Sequence, residues 1–252
     1  MASYINLDTL YIDYLKPSRF VLDVVGSAIE GGRNGLNQSI SIEMAGGGFL
    51  THSLGPCFIQ DREEHEYLNY LGALLNGSFR FINVPIKSDW MGPFPTFDRW
   101  PIPVVNGIPH SDGALFSDTS GYSQATVWGK VIEDAPLNAG QLHLRIYNPS
   151  RPLRWSDWFS IYHSTKGWRA YRYWQVVTRL DDGIETISGT PNPYQEYIVA
   201  LAPPLREAAS AGTRIEFARP RCAMKLAPGS TVPWDVQGWW RASPTLDFVE
   251  AF

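Results

Sequence analysis

Gln141-Leu-His-Leu-Arg-Ile-Tyr147 alternates apolar and polar side chains with a period of two, the spacing of a β-strand with one dry face. Leu142, Leu144 and Ile146 share that face, which leaves His143 out of phase and directed toward solvent or a partner. Segments of the same character surround it: Ala125-Thr-Val-Trp-Gly-Lys-Val-Ile132, Trp158-Phe-Ser-Ile-Tyr162, Ala170-Tyr-Arg-Tyr-Trp-Gln-Val-Val-Thr-Arg179 and Gln195-Glu-Tyr-Ile-Val-Ala-Leu201. Asp182-Gly183 and Pro191-Asn-Pro193 read as turns between them, and Arg214-Ile-Glu-Phe-Ala-Arg219 reads as the closing strand. Short strands punctuated this way predict a small β-barrel or β-sandwich over 111–220.

Toward the N-terminus, 18–25 and 38–44 are strand-like, and the second alternates Ile40, Ile42 and Met44 with polar neighbours. Gly31-Gly-Arg-Asn-Gly35 is a turn-rich connection, and Gly46-Gly-Gly48 marks a bend, because glycine enters positive φ without a steric penalty. A helix is predicted over 62–76. Asp61 and Glu64 stand at capping-box spacing, Leu68, Leu71, Leu74 and Leu75 form an apolar stripe, and Asn76-Gly77 closes it. Ser78-Phe-Arg-Phe-Ile-Asn-Val84 then alternates like a strand up to Pro85.

From Met91 to His110 prolines at 93, 95, 101, 103 and 109 remove backbone donors, so this stretch reads as a linker. The piece beyond Arg221 has too few strands to fold alone and is expected to return to the first unit. In its last strand Leu246, Phe248 and Glu250 share a face, which would bring Leu246 and Phe248 into one core with Ile40, Ile42, Leu71 and Leu74. The expected organisation is mainly β. A discontinuous β-sandwich-like domain with one flanking helix takes 1–105 and 221–252, and a second β domain, 111–220, is inserted in it.

Composition agrees with that class. The chain has 252 residues, 44% hydrophobic, with ten tryptophans, 22 glycines and 19 prolines, which suits many short strands broken by turns. A net charge of −4 gives no electrostatic footprint for nucleic acid. The start lacks the basic and apolar regions of a signal peptide, and no apolar run is long enough to span a bilayer. Cys57 and Cys222 lie far apart in sequence and are expected to stay unpaired.

Motifs for chemistry are largely missing. The glycine runs have neither Walker nor Rossmann spacing, and His52, His65, His110, His143 and His163 are scattered without the spacing of a metal site. Glu63-Glu64 and Asp181-Asp182 are adjacent, whereas a glycosidase needs its carboxyls across a cleft. Ser120 lacks the strand-to-helix elbow of a nucleophile. Neither cofactor nor metal is expected.

Aromatic residues are more abundant than one small core requires. Trp155, Trp158, Trp168, Tyr171, Trp239 and Trp240, interleaved with Arg169 and Arg172, have the Trp, Tyr and Arg composition of protein interfaces. These eight are the candidate interface residues. The same rings would also suit stacking on sugars.

The order of segments near the C-terminus carries a further signal. Ile198-Val-Ala-Leu-Ala-Pro-Pro-Leu-Arg-Glu207 is followed by Gly212-Thr-Arg-Ile-Glu-Phe-Ala-Arg-Pro220, then Met224-Lys-Leu226, then Leu246-Asp-Phe-Val-Glu-Ala-Phe252. This order resembles a family of bacteriophage and gene-transfer-agent tail proteins, the distal-tail, tail-tip or baseplate structural components. The resemblance implies a virion protein assembled in the bacterial host cytoplasm, forming a homo-oligomeric ring at the distal end of the tail tube. Its partners would be further copies of itself, the tail tube protein, and other hub or fibre proteins. The chain departs from the pattern around 145–195, where aromatics are denser and Ser156-Asp157 stands in place of a Gly-Asp. Two other classes remain open: a carbohydrate-binding β module with a Trp/Tyr groove, and a small hydrolase.

Overall fold

Strands dominate the computed structural model, which describes residues 4–26, 28–43, 46–86, 93–94, 96–97, 100–102, 104–155, 157–187, 189–233, 238 and 241–252. In chain order the elements are α1 (Ile12–Leu15), β1 (Phe20–Val25), β2 (Ala28–Arg33), β3 (Ser39–Glu43), β4 (Phe49–Leu54), α2 (Arg62–Leu75), β5 (Ile82–Pro85), β6 (Thr96–Phe97), β7 (Trp100–Pro101), β8 (Val104–Ile108) and β9 (Tyr122–Ala125). They continue with β10 (Trp128–Val131), β11 (Gln141–Tyr147), β12 (Trp158–His163), β13 (Gly167–Ile187), β14 (Thr190–Ala202), β15 (Arg214–Glu216), β16 (Arg221–Leu226) and β17 (Leu246–Glu250). Among the described residues no helix is long and apolar enough to cross a membrane.

Two β units share the chain. A five-stranded sheet has the order β1-β4-β17-β16-β5, and a closed barrel has the order β10-β11-β14-β13-β12-β15. The sheet takes strands from both ends of the chain and the barrel from between them. All pairings within both are antiparallel.

One face of the sheet is dry. Register places Phe248 opposite His52 and Leu226, and Leu246 opposite Leu54, so these side chains project together toward the α2 leucines. Leu68, Leu71 and Leu75 are buried there and Leu74 packs at the margin. Helix α2 begins where Glu64 accepts the backbone N–H groups of Gln60 and Asp61, at 2.8 and 3.1 Å, and ends where Asn76 turns left-handed at φ 45°. The strand after it starts only at Ile82, because residues 77–80 form a turn.

The inserted unit is closed by β15, which pairs with both β10 and β12. Its interior is filled by Val131, Leu142, Leu144, Ile146, Phe159, Tyr171, Val199, Ile215 and Phe217. This core is separate from the one under the sheet.

Three expectations from sequence fail. A strand forms over Ser39–Glu43, but Ile40 and Ile42 are exposed and belong to neither core, because among the described residues β3 pairs only with β2 in a hairpin that no other element covers. Asp182-Gly183 is not a turn, nor is Pro191-Asn-Pro193: β13 runs through the first and β14 through the second, and the reversal comes around Gly189 at φ 81°. Three register shifts in β13 lie within Tyr173–Asp182, and from Asp182 to Ile187 the pairing with β14 is regular. Cys57 and Cys222 are both buried and free.

Candidate protein interface

Three of the six described interface candidates lie inside the molecule. Trp158 is buried against the sheet core with the Arg172 guanidinium 5.6 Å from its ring centre. Arg169 is fully buried, and Tyr171 is enclosed in the barrel, where its hydroxyl pairs with His163 Nε2 at 2.7 Å and accepts the Arg206 N–H at 3.1 Å. Trp168 is half-buried beneath Arg221, whose guanidinium is 4.3 Å from the ring centre. These residues sit on β12 and β13, the barrel wall that faces β16, so their interface composition serves a contact between the two β units of one chain. Trp158, Arg169 and Tyr171 are therefore corrected from surface contacts to internal ones. Arg172 is partly exposed, 3.7 Å from Asp23, and Trp155 is 78% exposed. Trp239 and Trp240 lie outside the described residues.

The centre of that internal contact is ionic. Glu250 of β17 accepts from Arg206 Nη2 at 3.0 Å and lies 3.4 Å from Arg169 Nη1, while its Oε2 also accepts the Leu50 N–H at 3.1 Å. Arg169 donates to the Ala251 carbonyl at 2.5 Å and Arg206 to that of Gly48. One carboxylate thus ties the sheet to two barrel guanidiniums.

Exposed apolar side chains are carried by two β-hairpin arms, among other places. In the first, β2 and β3 continue from the β1–β4 pair, and every residue of both strands is exposed, including Ile29, Ile40 and Ile42, as is Leu36 in the turn between them. Leu36 is 80% exposed. Beside its root, β1 is a free edge of the sheet, whereas the opposite edge, β5, is bridged by the chain around Thr9.

The second arm grows out of the barrel wall. Strand β12 pairs with β13 only as far as Arg172, so Tyr173–Asp182 pair on one side only, with the barrel part of β14, and β11 stops at Tyr194, so that beyond it Ile184–Ile187 and Thr190–Pro193 pair only with each other. Twenty-one residues at about 3.3 Å each would reach about 70 Å were β13 straight, several times an ordinary strand. Trp174, Val177, Leu180 and Ile184 are exposed along it, Ile184 at 71%.

An ion network ties this arm to the barrel's outer wall. Glu185 is bonded by Lys130 Nζ at 2.7 Å, Arg145 Nη1 at 2.6 Å and the Tyr147 hydroxyl at 2.5 Å. Arg145 also reaches Glu196 at 2.6 Å and covers the Tyr194 ring at 4.0 Å, and His143 Nε2 is 2.7 Å from Glu196. Lys130, Tyr147 and Arg145 together hold the Glu185 carboxyl down at about 2, against an ordinary 4.5. His143, left over by the strand alternation, faces Glu196 of β14 on the barrel's outer wall.

Chemistry-bearing groups do not converge. Among the described residues no three of His, Cys, Asp and Glu are grouped to hold a metal ion. The chain matches no protein-family model and no curated protein.

Two buried imidazoles give the fold a pH dependence. His52 on the dry sheet face and His163 in the barrel are both held neutral by burial, which brings each from 6.5 to about 4. Unfolding exposes them, so between pH 6.5 and about 4 the unfolded chain binds protons that the folded chain refuses. Their contribution is complete above pH 6.5 and is lost as the pH falls, with a slope of about 1.4 kcal/mol per pH unit for each histidine. Urea unfolding at pH 7, 6 and 5 should show the decline, and H163Q should flatten it. Equal midpoints at pH 7 and 5 would refute this.

Proposed function

We propose that the protein is a structural subunit of a phage-type tail tip or baseplate, forming a homo-oligomeric ring at the distal end of the tail tube and joining it to other tip or fibre proteins. The observation that carries this reading is the pair of hairpin arms. An isolated two-stranded hairpin is marginally stable in water, and apolar side chains on both its faces gain nothing from solvent. Both arms make physical sense as surfaces completed by another subunit.

The open β1 edge and the free outer edges of β2 and β3 give the geometry. An edge strand with unpaired backbone groups is a template for strand addition. If the β3 side of one subunit's arm pairs with the β1–β2 side of the next, the contact is heterologous, and a rotation that closes it produces a ring. The barrel would offer other components the outer side of β13 beyond Arg172, where β12 no longer pairs with it. A virion location and the absence of turnover follow from this reading.

The alternative is a carbohydrate-binding module using exposed Trp155 and Trp174 as stacking platforms. It leaves the first arm and the open edge without a role. Native mass measurement of the 28.3 kDa chain, alone and mixed with tail-tube subunits, tests the preferred reading. A ring is expected, and I42K should convert it to monomer with an unchanged melting temperature, because Ile42 touches neither core. A wild-type protein that stays monomeric both alone and with tube subunits, or an I42K variant that assembles normally, would overturn it.

A further inference from the structure

A cleft of about 780 Å³ lies where α1, α2 and the chain around Thr9 meet. Its walls hold four tyrosines: Tyr11 and Tyr14 from α1 and its entry, and Tyr67 and Tyr70 from α2. Tyr67 is at the centre, with ring centroids 6.0 Å from Tyr11, 5.3 Å from Tyr14 and 6.0 Å from Tyr70. Glu63, Glu66, Tyr67 and Tyr70 follow the i, i+3, i+4, i+7 spacing of one helix face. The core beneath is filled by Ile12, Leu15, Leu68, Leu71 and Leu75. Tyr11, Tyr14 and Tyr70 are left exposed outside it.

The Tyr67 and Tyr70 phenols are held in place by hydrogen bonds. Tyr67 accepts the Tyr11 N–H at 2.8 Å, and the Tyr70 hydroxyl pairs with Asp8 at 3.1 Å. Carboxylates of Asp8, Glu63 and Glu66 complete the lining, and no Lys, Arg or His is part of it. Glu66 is already bonded to Arg62 at 2.7 Å, while Glu63 has no partner among the described residues.

We propose that this cleft binds an arginine side chain presented by a partner protein. Tyrosine faces carry negative quadrupole density that attracts a cation, and the planar guanidinium stacks on rings while offering paired N–H donors to a carboxylate. A negatively charged ligand is disfavoured by the three acids. The site lies on neither arm, so it stands or falls independently of the ring reading.

Titrating tyrosine-labelled protein with a tetra-arginine peptide and following the Tyr67 and Tyr70 NMR resonances tests the proposal. The expected result is a saturable shift of both, no shift with the neutral tetra-citrulline peptide, and weaker binding at about 0.5 M NaCl. E63Q, a change at an exposed helix position, should weaken binding about five-fold without changing the melting temperature. The proposal is overturned if tetra-arginine moves neither resonance, if citrulline binds equally, or if E63Q leaves affinity unchanged. Binding of a maltohexaose probe without arginine binding would assign the cleft to sugar and equally overturn it.

Discussion

Glu250→Ala is expected to lower the stability of the whole chain by about 3–5 kcal/mol, a large share of the roughly 5–15 kcal/mol that holds a typical domain folded. The carboxylate is about 1% exposed, and its partners Arg169 and Arg206 are 0% and 9% exposed. Removing it strands two guanidiniums in a site where water cannot replace the lost acceptor. Arg169 Nη2 has no hydrogen-bond partner among the described residues, and the contacts that remain, to the Ala251 and Lys166 carbonyls, are neutral acceptors that do not replace the carboxylate charge. The Leu50 N–H would lose its acceptor as well. Guanidinium chloride unfolding, followed by tryptophan fluorescence and far-UV circular dichroism, should show a lower midpoint and separated transitions for sheet and barrel. A variant replacing all three charged groups with apolar residues should recover much of the loss, because the penalty comes from unpaired charge rather than missing attraction. An Ala variant within about 1 kcal/mol of wild type would mean that Glu250 does not tie the two units.

Sequence patterns revealed which faces are apolar but not what covers them. Leu68, Leu71 and Leu75 lie on the buried side of their helix because a 3.6-residue stripe and a cap leave few other solutions. Leu142, Leu144 and Ile146 turn inward for the corresponding reason at period two. Ile40 and Ile42 carry the same alternation, yet they sit on an arm in solvent. The pattern is identical whether the cover is this chain or another. The aromatic and arginine stretch shows the same ambiguity in reverse: Trp158, Arg169 and Tyr171 have the composition of an interface and form one, but within the subunit. Asp182-Gly183 and Pro191-Asn-Pro193 misled for a different reason. Their local turn preference is worth less than the long β13–β14 ladder, which takes them in at consecutive paired positions, Asp182 to Ile187 opposite Gln195 to Thr190. The tyrosine cleft was not foreseen, because Tyr11 and Tyr14 are about fifty residues from Tyr67 and Tyr70, and only the α1–α2 contact unites them. The i, i+3, i+4, i+7 repeat of Glu63, Glu66, Tyr67 and Tyr70 was the available signal.

Phe248→Ala is expected to cost roughly 3–5 kcal/mol, because it deletes a fully enclosed ring from the middle of the sheet's dry face. Phe248 stands between His52 of β4 and Leu226 of β16 and shares a core with Leu68, Leu71 and Leu75, so the cavity would open where helix and sheet meet. Native-state hydrogen exchange should report this as lost protection across 62–75 and 82–85. The hairpin at 39–43 should exchange rapidly in both proteins when monomeric, since its outer backbone groups face solvent and its side chains join neither core. Strand 141–147 should be affected less, because the barrel has its own core and Leu142, Leu144 and Ile146 belong to it rather than to the core under the sheet. Unchanged protection across 62–75 and 82–85 would show that the C-terminal strand does not support the helix. Loss confined to those segments, with the barrel intact, would mean that the two units melt separately once the sheet is weakened. Ring assembly should then fail as well, because the first arm is an extension of β1 and β4, and a sheet that no longer holds β4 against β17 cannot present that arm in a fixed direction.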